Sequence, residues 1–232
     1  MHVLLTRPEA DATRTARALT ARGHTVLVAP LMRMETIEGA FGGPFAAVLL
    51  TSANAARALT HRGQAELTRL PAFTVGARTA QAARESGFTQ VESADGALGD
   101  LVRLVTARRP GGRLLYLAGE DRAGDLAGDL AAHGIAVETA VVYRTAPVDT
   151  LPAELARALT EDRIDAALHY SRRSALTLLH LAGEARLLTA AVKLAHYCLS
   201  DDVAAVLRES GAGRVLAAPV PTEAALFDLL LA

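Results

Sequence analysis

Two stretches of the 232-residue chain resemble each other. Residues 4–33 read LLTRPEADATRTARALTARGHTVLVAPLMR, and residues 114–144 read LLYLAGEDRAGDLAGDLAAHGIAVETAVVYR. Both begin with an apolar run, continue with a helical pattern that ends at a glycine, and reach a second apolar run before an arginine. The offset is 110 at the start (114 minus 4) and 111 at the end (144 minus 33). Each stretch, called block A, therefore predicts a βαβ unit with parallel strands.

A second motif also occurs twice, once after each block A. Residues 50–53 resemble residues 169–172 at an offset of 119, and residues 83–87 resemble residues 207–211 at an offset of 124. This block B predicts roughly three strands from its apolar runs. One block A with one block B would form a five-stranded, doubly wound parallel sheet of flavodoxin-like size.

The order A-B-A-B leaves two domain arrangements open. The halves are either consecutive, dividing near residue 110, or interleaved, with residues 30–34 and 142–146 as two crossing connectors. Both connectors combine apolar residues with an arginine, Arg33 or Arg144. That pattern would suit two strands that pair side by side, although any sheet edge would look similar.

The composition predicts a globular protein without general affinity for polyanions or lipid surfaces. Hydrophobic residues make up 51% of the chain, charged residues 21%, and the formal net charge is −1. No nucleic-acid or membrane partner is therefore expected. The single cysteine, Cys198, excludes an internal disulfide and fits a reducing compartment. Because no signal-peptide pattern and no apolar run of about 20 residues is present, a cytoplasmic location is expected.

The strand-to-helix turns are the places to expect chemistry. In open parallel sheets, ligands bind beyond the carboxyl ends of the strands, where helix N-termini present free N–H groups. Four hydroxyl residues at these turns stand where a helix would begin: Ser52, Ser171, Ser200 and Thr222. The structural alternative is that each is an N-cap, which contributes about 1 kcal/mol to its helix. Several such turns on one cleft would form a receptor for carboxylates or phosphates.

The usual cofactor and metal signatures are absent from the sequence. There is no Walker motif, no dinucleotide fingerprint and no pair of histidines at i,i+4, so neither a cofactor nor a metal is predicted. His169 and His196 fall near strand ends, and we expect each to be partly buried with one backbone hydrogen bond. Cys198 is expected to be a small buried residue and not a nucleophile.

Read in order, the motifs of this chain resemble those of the uroporphyrinogen-III synthase family. The matching segments are Leu4-Leu-Thr-Arg-Pro8, Leu50-Thr-Ser-Ala-Asn-Ala55, Thr74-Val-Gly76 with Thr79-Ala80, Gly134 to Arg144, Tyr170-Ser171, and Lys193-Leu-Ala195 with Ser200. The resemblance spans nearly the whole chain. It implies two flavodoxin-like domains that are interleaved in sequence, residues 1–34 with 147–232 and residues 35–146. It also implies a two-strand connector and a substrate between the domains.

The resemblance further implies a monomeric, cofactor-free lyase that cyclises hydroxymethylbilane to uroporphyrinogen III, with inversion of ring D and loss of water. Tyr143 matches the family's tyrosine and is the predicted catalytic residue, a neutral phenol that donates to the leaving hydroxyl. The residues predicted to bind the substrate carboxylates are Arg7, Ser52, Asn54, Thr79, Ser171, Lys193 and Ser200.

Two departures from the family pattern affect these predictions. Residues 198–202 read CLSDD where the family more often has Gly-x-x-Thr-Ala, which puts Ser200 in question. The arginine that many relatives carry before the glycine is Ala118 in this chain, so carboxylate recognition beside Gly119 would rest on backbone groups.

Two other function classes fit parts of the pattern. The first is a non-catalytic, two-domain cytosolic protein that binds organic anions in the same cleft. The second is a glycosyltransferase with two Rossmann-like halves, but such chains are usually longer and no sugar-nucleotide motif is evident.

Overall fold

The computed structural model describes residues 1–39, 41–60, 66–122 and 124–230. Its strands are β1 (His2–Leu5), β2 (Thr25–Val28), β3 (Met32–Thr36), β4 (Ala47–Leu50), β5 (Ala72–Thr74), β6 (Val91–Ser93), β7 (Leu114–Gly119), β8 (Val137–Pro147), β9 (Ala166–His169), β10 (Ala195–Cys198) and β11 (Arg214–Ala217). Its helices are α1 (Glu9–Thr20), α2 (Ala53–Thr60), α3 (Ala77–Glu85), α4 (Leu98–Arg108), α5 (Leu126–Ala131), α6 (Ala153–Thr160), α7 (Arg172–Glu184), α8 (Leu188–Lys193), α9 (Asp201–Glu209) and α10 (Glu223–Asp228), and a 3-10 turn spans Leu67–Arg69.

The chain divides into two compact units. Unit 1 is Met1–Arg33 with Ala146–Ala232, and unit 2 is Met34–Thr145. The sheet of unit 1 has the order β2-β1-β9-β10-β11, and all of its neighbouring strands run parallel. Numbered within the unit, this order is 2-1-3-4-5, which is the flavodoxin-like order. The predicted fold class, α/β with interleaved flavodoxin-like parallel sheets, is confirmed.

The sheet of unit 2 contains one strand more than the five predicted. Its order is β3-β8-β7-β4-β5-β6, and the five strands from β8 to β6 are parallel. Beside β8, the Ile37 N–H donates to the Val142 carbonyl (2.9 Å) and the Val148 N–H donates to the Leu31 carbonyl (3.0 Å). Because the partner number falls as the residue number rises, β3 runs antiparallel to β8. The added strand is therefore the first of the two connectors.

The two units use the same blocks in a different chain order. In unit 1, block A supplies β1 and β2, and the later block B supplies β9 to β11. In unit 2, the earlier block B supplies β4 to β6, and block A supplies β7 and β8. The spatial order of the blocks is the same in both sheets, so unit 2 is a circular permutation of unit 1.

Backbone geometry supports this correspondence. His2 faces Thr25, and Leu114 faces Val137, so the two strands of block A are separated by 23 residues in both units (25 minus 2 and 137 minus 114). The glycine after the helix also has a positive φ in both copies, +83° at Gly23 and +75° at Gly134, a conformation that glycine adopts without a Cβ penalty.

Both faces of the unit 1 sheet are covered. Leu4 packs into one apolar cluster with Leu27, whereas Val3 and Leu5 pack into the cluster on the other face, and all three β1 residues are fully buried. Burial of each such side chain stabilises the fold by about 1.5–3 kcal/mol. Because both faces are occupied by helices, polar ligands have access mainly to the strand ends.

Candidate functional site

A cavity of about 260 Å³ opens in unit 2 beyond the carboxyl ends of β4 and β7. Its walls are formed by Thr51, Ser52, Val75, Leu98, Tyr116, Gly119, Asp121, Arg122, Gly124 and Tyr143. Ser52 directly follows β4, Gly119 ends β7, and Tyr143 lies in β8, the neighbour of β7. The fold therefore brings two of the predicted site residues, Ser52 and Tyr143, to the same cavity.

Tyr143 lines the cavity at a point where β8 bulges. Ala118 faces Val141, but the next residue, Gly119, faces Tyr143, so β8 contains one extra residue, Val142. Val142 is fully buried, whereas Tyr143 is half-buried and packs against the same core cluster. The Glu120 N–H donates to the Tyr143 carbonyl (3.0 Å) and ties the end of β7 to the bulge. Bulges of this kind redirect a side chain, and they are frequent beside active sites.

Hydroxyl groups form the wall of the cavity next to β4. The Thr51 hydroxyl and the Tyr116 hydroxyl are 2.9 Å apart and share a hydrogen bond. Ser52 Oγ accepts a hydrogen bond from the Asn54 N–H (3.1 Å), as an N-cap of α2 does, and its own O–H is still able to donate. Sequence reasoning did not select Thr51 or Tyr116, although both stand in the repeated strand ends.

The cavity also contains a cation that the sequence analysis did not anticipate. Arg122 and Asp121 line it, and both side chains are exposed. Arg122 lies three residues after Gly119 (122 minus 119). The structure therefore places an arginine at the cavity beside Gly119, in addition to the backbone groups that the sequence predicted. The available signal was the charged run that follows β7 directly.

In unit 1, the predicted binding residues Ser171 and Ser200 follow the neighbouring strands β9 and β10. Ser171 Oγ accepts from the Ser174 N–H (3.2 Å), and Ser200 Oγ accepts from the Val203 N–H (3.5 Å). Thr222 caps α10 in the same way. The N-cap interpretation is confirmed for these hydroxyls, and a binding role would add to it.

Arg7 lies at the end of β1 and belongs to a polar cluster that sequence reasoning missed. Its Nη1 donates to Glu223 Oε1 (3.0 Å) and to Thr15 Oγ1 (3.0 Å). Tyr170 also donates to Glu223 Oε1 (2.9 Å), and the Arg7 guanidinium stacks 3.9 Å from the centroid of the Tyr170 ring. These contacts bring together three turns of unit 1, and they engage the positive charge of Arg7 within the fold.

Glu223 is ionised in this cluster although it is partly buried. Burial alone would raise the pKa of Glu223, but hydrogen bonds from Thr15 and Tyr170 and the charges of Arg7 and Arg14 together hold that pKa below its ordinary value. Burial and the hydrogen bond to Glu223 raise the pKa of Tyr170, so its phenol stays protonated. The cluster is thus a stable arrangement of fixed charges.

Three other predicted binding residues lie outside this cluster, each at the start or end of a helix. Asn54 is the second residue of α2, and its Oδ1 accepts from Arg57 Nη1 (3.4 Å). Thr79 is buried in the first turn of α3. Lys193 is exposed at the end of α8, just before β10, so it lies at the amino edge of the sheet, opposite the edge where Ser200 lies.

His169 and His196 form a buried pair on the neighbouring strands β9 and β10. His169 Nε2 and His196 Nδ1 are 2.9 Å apart, and both residues are completely inaccessible. The expected partial burial is wrong for His169 and His196, because both rings are fully buried and hydrogen-bond to each other. Burial and the nearby His196 lower the pKa of His169 to about 3, and burial lowers the pKa of His196 to about 4. Cys198 is buried as expected, and burial raises the pKa of its thiol.

Within the described ranges, no three histidine, cysteine, aspartate or glutamate residues are grouped so that they could hold a metal ion. The helices in those ranges are too short or too polar to cross a membrane.

Comparison with known proteins identifies the family. No curated protein matches the sequence significantly. The structure resembles uroporphyrinogen-III synthetase from Helicobacter pylori, with 19% identity, a TM-score of 0.62 and coverage of 99% of this chain and 98% of that one. A mutant uroporphyrinogen III synthase from Thermus thermophilus matches at 20% identity and a TM-score of 0.47, over 99% of this chain and 96% of that one. At these identities, the Helicobacter likeness establishes the fold. The model of the uroporphyrinogen-III synthase HemD family matches residues 13–228, and the chain therefore belongs to that family.

Proposed function

We propose that the protein closes hydroxymethylbilane to uroporphyrinogen III, with inversion of ring D and release of water, and that Tyr143 is the proton donor. The observation that carries the residue assignment is the shared cavity of Tyr143, Ser52 and Thr51 at the strand ends of unit 2. A phenol beside two hydroxyl groups supplies a proton donor and hydrogen-bonding partners for a polar substrate.

The first step is loss of the terminal hydroxyl group. The Tyr143 O–H gives its proton to that hydroxyl, the C–O bond breaks, and water leaves. A pyrrole nitrogen lone pair stabilises the resulting azafulvene cation. Acid assistance of this kind typically contributes about 10²-fold or more to the rate.

The later steps form and rearrange carbon–carbon bonds. The substituted carbon of ring D attacks the azafulvene to give a spiro intermediate, which rearranges and then closes with ring D inverted. The proton lost when the last pyrrole regains aromaticity restores the Tyr143 phenol, so the net change is loss of one water. Because simple closure competes, the protein must control mainly the orientation of ring D.

The size of the cavity limits what it binds. Drug-sized ligands occupy pockets of about 300–1,000 Å³, whereas this cavity measures about 260 Å³. We propose that it holds one pyrrole ring with its side chains and not the entire tetrapyrrole. Arg122, the Ser52 hydroxyl and the N–H groups at the start of α2 would bind an acetate or propionate group there.

Of the other predicted residues, some bind substrate carboxylates in this proposal and others support the structure of the site. Ser171 and Ser200 bind carboxylates with their hydroxyls and the N–H groups of α7 and α9, in addition to capping those helices. Asn54 and Thr79 belong to first turns that support the cavity side of unit 2. Arg7 acts through its ion pair with Glu223.

Lys193 is assigned no substrate contact, because it lies at the opposite edge of its sheet.

We propose that the units act as the two domains, residues 1–34 with 147–232 and residues 35–146. We also propose that the protein is a cytoplasmic monomer. Light scattering of the purified chain measures the oligomeric state directly.

The decisive experiment supplies freshly prepared hydroxymethylbilane and separates the oxidised porphyrin products by isomer. We expect the type III isomer to predominate over the type I isomer that forms without enzyme. Formation of type I alone at the blank rate would contradict the proposed activity and would leave a non-catalytic anion-binding protein.

A further inference from the structure

Gly119 lies directly against the phenol of Tyr143. A Cβ atom on Gly119 would stand 2.6 Å from Tyr143 Cζ and 2.7 Å from the phenolic oxygen. Non-bonded carbon atoms prefer separations of about 3.5–4.0 Å. The phenol can therefore occupy its position only while residue 119 carries no side chain.

The backbone conformation of Gly119 does not itself require glycine. The glycines of the described chain with a positive φ are Gly23, Gly43, Gly87, Gly112, Gly134 and Gly211. Gly119 is outside that set, so any residue could adopt its backbone angles. The close approach of the phenol is what an alanine at this position would disturb.

The bulge in β8 makes this approach possible. At the register shift, Gly119 becomes the residue that faces Tyr143, where Val142 would otherwise stand. Val142 is buried in the core cluster, and the Tyr143 ring packs against that cluster from the cavity side. The ring is held between the core on one side and the bare backbone of Gly119 on the other.

We infer that Gly119 is a positioning residue for the synthase reaction, because it provides the space that sets the Tyr143 phenol at the cavity wall. This inference rests on the proposed role of Tyr143 as the proton donor. Gly119 itself contributes no group to the chemistry.

Gly119→Ala should displace the phenol without removing it. Relief of the contact requires a shift of about 1 Å, and a misplacement of that size can cost about 10²-fold in rate. We expect kcat to fall about 10- to 100-fold. KM should change less than about threefold, because Ser52 and Arg122, which bind substrate in the proposal, are untouched.

The position of the phenol can be measured without activity. With ¹³Cζ-labelled tyrosine, the four tyrosines of the chain give four resonances, and Tyr143→Phe identifies the one that belongs to Tyr143. Gly119→Ala should shift that resonance. The matched control is Gly111→Ala, where an added Cβ meets no atom within 4 Å, and it should leave kcat and the Tyr143 resonance unchanged.

A double-mutant cycle separates positioning from general damage. In the Tyr143→Phe background, Gly119→Ala should lower kcat by less than about twofold, since the hydroxyl that it displaces is already gone. An equal loss of kcat in both backgrounds would refute the inference, as would an unshifted Tyr143 resonance.

A further variant tests whether any loss of stability in Gly119→Ala comes from the contact with the Tyr143 ring. If Gly119→Ala lowers the melting temperature, it should lower it no further in a Tyr143→Ala background, where the ring that collides is absent, and an equal loss in that background counts against the inference. If Tyr143→Phe leaves kcat unchanged while Gly119→Ala still shifts the phenol, the proposed acid role fails but the contact stands. The two failures are therefore distinguishable.

Discussion

The two units share one strand order, but their carboxyl edges are built for different purposes. Unit 1 joins its turns through Arg7, Glu223 and Tyr170, whose side chains bind one another. Unit 2 instead leaves Ser52 and Tyr143 around a cavity of about 260 Å³. The same scaffold occurs twice, and the residues at the strand ends determine whether the side chains bind one another or line a cavity.

Equivalent positions explain the difference. Val3 faces Ala166 and Leu114 faces Ala47, so offsets of 111 in block A (114 minus 3) and 119 in block B (166 minus 47) superpose the two sheets. By these offsets, three of the four cluster residues of unit 1 correspond to smaller or apolar residues of unit 2: Arg7 to Ala118, Tyr170 to Thr51, and Thr15 to Leu126. In the other direction, Tyr143 corresponds to Met32, which is buried.

The strongest test of this contrast removes one tyrosine hydroxyl from each unit. Tyr143→Phe should lower kcat by about 10²-fold with little change in melting temperature, because the proposed proton donor is lost from the cavity. Tyr170→Phe, the matched change, should leave kcat per folded molecule unchanged but destabilise the protein by about 1.5–3 kcal/mol, since a hydrogen bond to a carboxylate is removed. Turnover and urea denaturation measure the two effects. Equal kcat losses in both variants would break the distinction.

The next largest effect should come from the Arg7–Glu223 cluster of unit 1. Glu223→Gln removes the charge that faces Arg7, whose side chain is only 17% exposed. We expect a loss of about 2 kcal/mol in the free energy of unfolding, measured by urea denaturation.

The matched control is Glu92→Gln in unit 2. It breaks an ion pair with Arg108 in which both side chains are well exposed, so its effect should be smaller. A larger loss from Glu92→Gln would show that the cluster of unit 1 is not what holds that edge.

Low pH should destabilise unit 1 through its buried histidine pair, and this effect should grow as the pH falls. His169 and His196 stay neutral in the fold, since their pKa values are lowered to about 3 and about 4, whereas in the unfolded chain they take up protons below about pH 6.5. Their contribution to stability is therefore complete above pH 6.5 and is lost as the pH falls toward 4. The slope should be about 1.4 kcal/mol per pH unit for each histidine.

Urea denaturation between pH 7.5 and 5 tests this slope, and His169→Gln should remove about half of it. Hydrogen exchange should show loss of protection in unit 1 first, because His133, the described histidine of unit 2, is exposed. An NMR titration of either buried ring near pH 6.5 would contradict the prediction.

The sequence predicted what depends on local pattern. The repeats predicted both sheets, and hydroxyls before helices predicted the N-caps. The edge strand β6, Val91–Ser93, was predicted by the repeat alone, because it is short and polar and pairs with one neighbour only. The ion pair of Arg7 and Glu223 joins residues 216 apart, and no local signal links them. Lys193 was predicted to bind substrate from the order of the family motifs. Its position at the amino edge of the sheet follows from the end of α8 directly before β10, which the motif order does not reveal.

The antiparallel pairing of β3 and β8 has a consequence at the level of the gene. Leu31 and Val148 are hydrogen-bonded neighbours on either side of the unit 2 segment, so the two cut ends of unit 1 lie next to each other. A coding sequence that joins residue 33 to residue 146 would encode an uninterrupted 2-1-3-4-5 sheet. The pairing thus marks a site where one coding segment can sit inside another without separating the strands of the host.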